Sequence, residues 1–135
     1  MTVDEFAKKH GLKLLNDPED TGREIEGCYI GDLLSWVMGR ASPGDMWITV
    51  MSNINIVAVA QLSDAACVVL CEDVVIDDNV RKKADSQGIA IYSSPKTGYE
   101  IAVDYYNDSV AEKAAAEAEA RGAHQRVEHG LFRSA

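Results

Sequence analysis

The run Ala-Ala-Cys-Val-Val-Leu-Cys at 65–71 constrains the fold more than any other stretch of the chain. Polar and apolar residues do not alternate along it, so a strand built from it is buried on both faces. That pattern belongs to parallel sheets covered by helices on each side. A parallel partner must be reached through a crossover, not a hairpin. The partner is the run Asp-Met-Trp-Ile-Thr-Val at 45–50, and residues 53–63 are read as the crossover helix. Ile54, Ile56, Val57 and Val59 favour a strand by propensity. Asn53 or Asn55 can cap a helix, however, and a strand there would leave 45–50 and 65–71 without a crossover. Residues 45–73 therefore form one right-handed βαβ unit.

Polar groups gather just past the strand ends. Ser52, Asn53 and Asn55 follow the first strand, and Glu72 and Asp73 follow the second. In open parallel sheets ligands bind outside the carboxyl ends of the strands. Adding the ends of the neighbouring predicted strands, the candidate ligand residues are Gly31, Asp32, Ser52, Asn53, Asn55, Glu72 and Ser93.

The other elements are read by period and punctuation. Thr2 and Glu5 make a capping box for a helix over 2–10, whose face carries Val3, Phe6, Ala7 and His10 and which Gly11 ends. Leu12 to Leu15 reads as a short edge strand, and Asn16 to Gly22 as a polar loop without chemistry. Residues 23–30 turn from alternating to apolar, a strand entering a core. Asp32 is positioned to cap a helix over 33–39 with Leu33, Leu34, Val37 and Met38 buried. Asp77 caps a helix that ends before Gly88, with Val80 and Ala84 facing inward. A strand follows at 88–92, then helices at 96–107 and 108–121, the second rich in alanine. Gly122 is expected to end it, and the tail to fray. The expected architecture is a three-layer α/β/α domain over 1–107, with a mostly parallel sheet of about five strands and a C-terminal helical extension over 108–135.

Charge and cysteine usage narrow the function. With 135 residues and 47% apolar content the chain suits one core. Its net charge of −9 argues against nucleic acid and against an anionic membrane surface as partner. No apolar stretch is long enough to span a bilayer. The opening Met-Thr-Val-Asp-Glu-Phe does not read as a secretory signal. Cys28, Cys67 and Cys71 lie in apolar runs, which fits a reducing, cytoplasmic setting.

Several segments together carry a resemblance. Tyr29-Ile30-Gly31-Asp32-Leu33-Leu34 leads to Val37-Met38-Gly39-Arg40-Ala41, and Trp47-Ile48-Thr49-Val50 and Asn55-Ile56-Val57-Ala58-Val59-Ala60 follow. The glycine-led strand Gly88-Ile89-Ala90-Ile91 completes the pattern over residues 24–106. This resembles the DRTGG domain family in its small stand-alone form, itself similar to the N-terminal domain of HPr kinase/phosphorylase. The resemblance implies a three-layer fold, homodimers, and a regulatory or ligand-sensing role in place of an active site. Fused to CBS pairs, such domains accompany nucleotide-controlled pyrophosphatases. Stand-alone relatives occur near redox enzymes such as iron-only hydrogenases, which makes a redox enzyme a candidate partner. The family's Asp-Arg and Thr-Gly-Gly are replaced here by Ser52-Asn53 and Cys71-Glu72-Asp73. An arginine and a glycine turn suit an anionic phosphate ligand, whereas Glu72 and Asp73 repel one.

Other constellations are weighed against packing. Cys67 and Cys71 fall on one strand face but roughly 13 Å apart, too far for one metal, and read as core. His10, His124 and His129 lack ligand spacing and read as surface residues. Glu72-Asp73 and Asp77-Asp78 read as helix-start acids before they read as a Mg²⁺ site. Trp36 and Trp47 read as core or interface anchors. The sequence thus reads as a cytoplasmic, non-catalytic regulatory module without a cofactor, a homodimer that binds a small molecule, a nucleotide or a partner protein. The rival reading is a small enzyme or phosphotransferase accessory using carboxylates at Glu72 and Asp73.

Overall fold

The computed structural model describes the backbone of residues 1–134 and the side chains of residues 1–123. The elements are α1 (Val3–His10), β1 (Lys13–Leu14), β2 (Gly27–Ile30), α2 (Leu34–Arg40), β3 (Asp45–Thr49), α3 (Asn55–Leu62), β4 (Cys67–Leu70), α4 (Asp78–Gln87), β5 (Ile91–Ser93) and α5 (Gly98–Ser134). They build one five-stranded sheet in the order β1-β5-β4-β3-β2. The apolar run takes the centre as β4, parallel to β3 and β5, while β1 joins the edge antiparallel. Val68, Val69 and Leu70 of β4 are 0% exposed. Their burial contributes roughly 5–9 kcal/mol, comparable with the whole net stability of a domain. The register of β4 therefore dictates where its neighbours stand.

The side-chain period of two splits the core into two layers. Trp47, Val68, Leu70 and Ile91 pack on one face with Val37, Ile56, Val57, Val80 and Ala84 from α2, α3 and α4. Met46, Ile48, Cys67, Val69 and Tyr92 pack on the other with Val3, Phe6 and Ala7 of α1 and Ile101 of α5. Cys67 and Cys71 share this second face inside the core. Where the sequence left the crossover ambiguous, 55–62 is helical because Ile56, Val57, Val59 and Ala60 reach the sheet together. The two best-punctuated helices behave as their caps dictate. Thr2 accepts from the Glu5 amide and Gly11 closes α1 in the left-handed region, as Asp77 and Gly88 do for α4.

Three expectations are corrected. Of the four residues expected to bury α2, Val37 is buried and Leu34 half-buried, while Leu33 and Met38 are 59% and 50% exposed. A seven-residue helix at the β2–β3 end of the sheet has room to bury little more than one side chain per turn. Trp36 is also exposed, with the Arg40 guanidinium 3.6 Å above its ring. The segments 96–107 and 108–121 are one helix that runs on through Gly122 to Ser134. An interior glycine costs only about 1 kcal/mol against alanine, and the alanine-rich flanks carry the helix past it. By internal contacts the chain divides into two compact units, Met1–Tyr105 and Tyr106–Ala135. The first holds the sheet. The second is the remainder of α5 and the chain end.

Candidate functional site

The sheet register lines up the carboxyl ends of the parallel strands. Ile30 lies opposite Ile48, Thr49 opposite Leu70, and Leu70 opposite Ser93. The residues after each strand thus emerge along one rim. Asp32 does not cap α2, whose N-cap position is Leu33 with no side-chain bond. Its Oδ1 instead accepts from Thr49 Oγ1 at 2.7 Å and the Val50 amide at 2.9 Å, tying the loop after β2 to the end of β3. The two donors stand side by side at a strand end, so the carboxylate gains two bonds there. Trp47 Nε1 donates to the Gly31 carbonyl at 2.8 Å from the same side. Asn53 Oδ1 accepts from the Asn55 amide at 2.9 Å, an Asx turn that opens α3. Asn55 is exposed, Ser52 half-buried and Ser93 buried.

The turn after β4 takes a backbone geometry that suits glycine, though neither of its residues is one. Glu72 and Asp73 have φ of 57° and 60°, the left-handed region that costs a side chain about 1–2 kcal/mol. Their amides donate to the carbonyls of Lys96 and Ser94, both at 2.9 Å, which holds the turn against that cost. Both carboxylates stand exposed on the rim. The nearest lysine in this loop pair, Lys96, is committed to Asp104 at 2.7 Å. Asp104 also lies 3.5 Å from His10 Nδ1. His10 is therefore not the surface histidine expected. Its ring packs 4.5 Å from Phe6, because the last turn of α1 sits on the apolar face of the sheet. The side chains of His124 and His129 lie outside the described residues.

The remaining chemistry is inert or structural. Burial pushes the Cys67 thiol up to about 12 and the Cys28 thiol up to about 11, the latter with Asp45 adding to it. Burial also raises Cys71, helped by Glu72 and Asp32. Protonated thiols are poor nucleophiles and poor metal ligands. Asp77 caps α4 and Asp78 pairs with Arg81. Among the described residues no group of three or more His, Cys, Asp or Glu side chains is placed to hold a metal. At the opposite rim, around the starts of β4 and β5, lies a cavity of about 250 Å³ that the sequence reading did not find. Arg23 and Asp64, paired there at 2.8 Å, are far apart in sequence, and neither sits in a motif that would have marked it.

No protein-family model and no curated protein matches the chain. Among solved structures, it is similar to the CBS and DRTGG domains of the regulatory region of Clostridium perfringens pyrophosphatase, complexed with the activator diadenosine tetraphosphate. The TM-score is 0.58 at 12% identity, covering 74% of this chain and 44% of that one. The likeness is one of fold, and this chain spans less than half of that protein.

Proposed function

We propose that the chain is a small regulatory module of the DRTGG kind. In this reading residues 1–107 sense a small ligand at the carboxyl rim, 108–135 are an extension, and the protein works as a homodimer and not as a catalyst. The observation that carries the reading is the fold shared with a regulatory region bound to a nucleotide activator. The aligned strand ends add a place for the ligand, with Gly31, Asp32, Ser52, Asn53, Asn55, Glu72 and Ser93 as contacts. The acidic turn at Glu72 and Asp73 disfavours a highly charged phosphate chain unless a cation accompanies it. A redox enzyme is the partner class that the family resemblance supplies. The enzyme reading lacks support in the geometry. A catalytic carboxylate belongs in a closed pocket, whereas Glu72 and Asp73 are exposed on an open turn.

Thermal shift against a panel of mononucleotides, dinucleoside polyphosphates and small metabolites tests this. A cognate ligand at about 100 times its Kd stabilises by about 2.7 kcal/mol. The expected result is a saturable rise in melting temperature that Asn53→Ala removes, and that Glu72→Gln removes for a neutral or cation-accompanied ligand, both being exposed side chains. No rise with any of the panel, or a rise that survives both substitutions, would overturn the reading.

A further inference from the structure

The cavity at the amino ends of β4 and β5 has a composition of its own. Ala65 and Ala66 precede β4, and Ile89 precedes β5; with Ala60 of α3 they form the smaller, apolar part of a mostly polar lining. Its charged groups are Asp20, Asp64 and Arg23. The guanidinium is already engaged: Nη1 donates to Asp64 Oδ1 at 2.8 Å, and Nη2 to the Asp64 carbonyl at 3.0 Å. That contact holds the Asp64 carboxyl below its usual range, so it stays ionised. Gln61 and Gln87, in the last turns of α3 and α4, bring the carboxyl ends of two helices to the same place. Those ends carry the negative pole of the helix dipole. Two carboxylates and two such poles outweigh one paired guanidinium, so the field in the cavity favours positive charge. Its volume falls just under the usual range for drug-sized ligands, which admits a molecule of a few heavy atoms.

We propose that this cavity binds a small aliphatic amine as its ammonium ion. The charged head faces Asp20 and Asp64, and the short methylene chain lies over the apolar part of the lining at Ala65, Ala66 and Ile89. The site is separate from the carboxyl rim, and no rim candidate lines it.

The test is an amide chemical-shift titration of the full chain with putrescine, with butanediol and succinate as chain-matched neutral and anionic controls. Putrescine is expected to give saturable shifts at Gln61–Ala66 and Gln87–Ile89, and the controls none there. Losing a charge-assisted contact weakens binding by roughly tenfold or more, so Asp64→Asn or Asp20→Asn should raise the Kd by that factor. The Asp20 carboxylate accepts from the Gly22 amide at 2.7 Å, a local bond, so its variant keeps the test clean if Asp64→Asn fails to fold. The proposal is overturned by equal shifts with butanediol, by a preference for succinate, or by shifts spread over the acidic surface or confined to Ser52–Asn55. Affinity unchanged in the folded variants also overturns it.

Discussion

Asn16 does with its side chain what a strand residue does with its backbone. β1 ends at Leu14, the Leu15 amide still donates to the Ile91 carbonyl, and then the Asn16 amide group takes over. Its Nδ2 donates to the Ile89 carbonyl at 2.7 Å and its Oδ1 accepts from the Ile91 amide at 2.9 Å, both bonds buried. Replacing it with alanine leaves a buried donor and a buried acceptor unmet, at about 1–3 kcal/mol each. Asn16→Ala is therefore expected to cost about 2–6 kcal/mol of stability, read as a lower urea midpoint at unchanged m-value. A loss below about 0.5 kcal/mol, the size of an ordinary surface change, would show that the bonds carry no net stability. The sequence presents Asn16 as the first residue of a polar loop. Its partners lie 73 and 75 residues away, and no local pattern announces such a pairing. Asp32 misled for a related reason. Its position suits a helix cap, but Thr49 and Val50, brought alongside by sheet pairing, offered better donors.

Elements were legible where their punctuation was local. Capped helices α1 and α4 and the central strand could be read directly, because Thr2, Asp77, Gly11 and Gly88 act within a few residues. The amphipathicity of α2 was not legible. Apolar residues surround it, and which of them face the core depends on its place at the end of the sheet. The outcome leaves Leu33 at the N-cap of α2, Trp36 and Met38 within it, and Ile30 of β2 exposed. Leu33 and Trp36, three apart, share one side of α2, and adjoining exposed apolar groups mark an interaction surface. We expect this face to form the main contact of the proposed homodimer, with Val110, Ala111, Ala114, Ala115 and Ala118 of α5 adding to it. Sedimentation of three forms checks this: the full chain, Trp36→Glu, and a chain ending at Asn107. The full chain should be dimeric at tens of micromolar, given a Kd of about 1 μM. Trp36→Glu should be monomeric, and the shortened chain a weaker dimer. A monomeric full chain ends the dimer proposal, and a dimeric Trp36→Glu moves the contact elsewhere.

At the scale of the whole molecule, the three-layer α/β/α plan followed from one doubly apolar strand and the topology it demands. The likeness in fold to a CBS- and DRTGG-containing regulatory region agrees with that plan. The candidate rim was legible only as positions past strand ends. The register shows that those positions align, and Glu72 and Asp73 both take the left-handed backbone that glycine adopts at less cost. Nothing in the sequence could reveal the cavity at the opposite rim, since its lining comes from residues near 20, 60 and 88 that meet only in the folded chain. The central claim is that a regulatory ligand sits at the carboxyl rim. The most direct measurement is the amide chemical-shift map of the labelled full chain with whichever nucleotide or metabolite raises its melting temperature. The expected map changes at Gly31–Asp32, Ser52–Asn55, Glu72–Asp73 and Ser93. A map confined to the strand starts, around Arg23, Asp64 and Gly88, would contradict it.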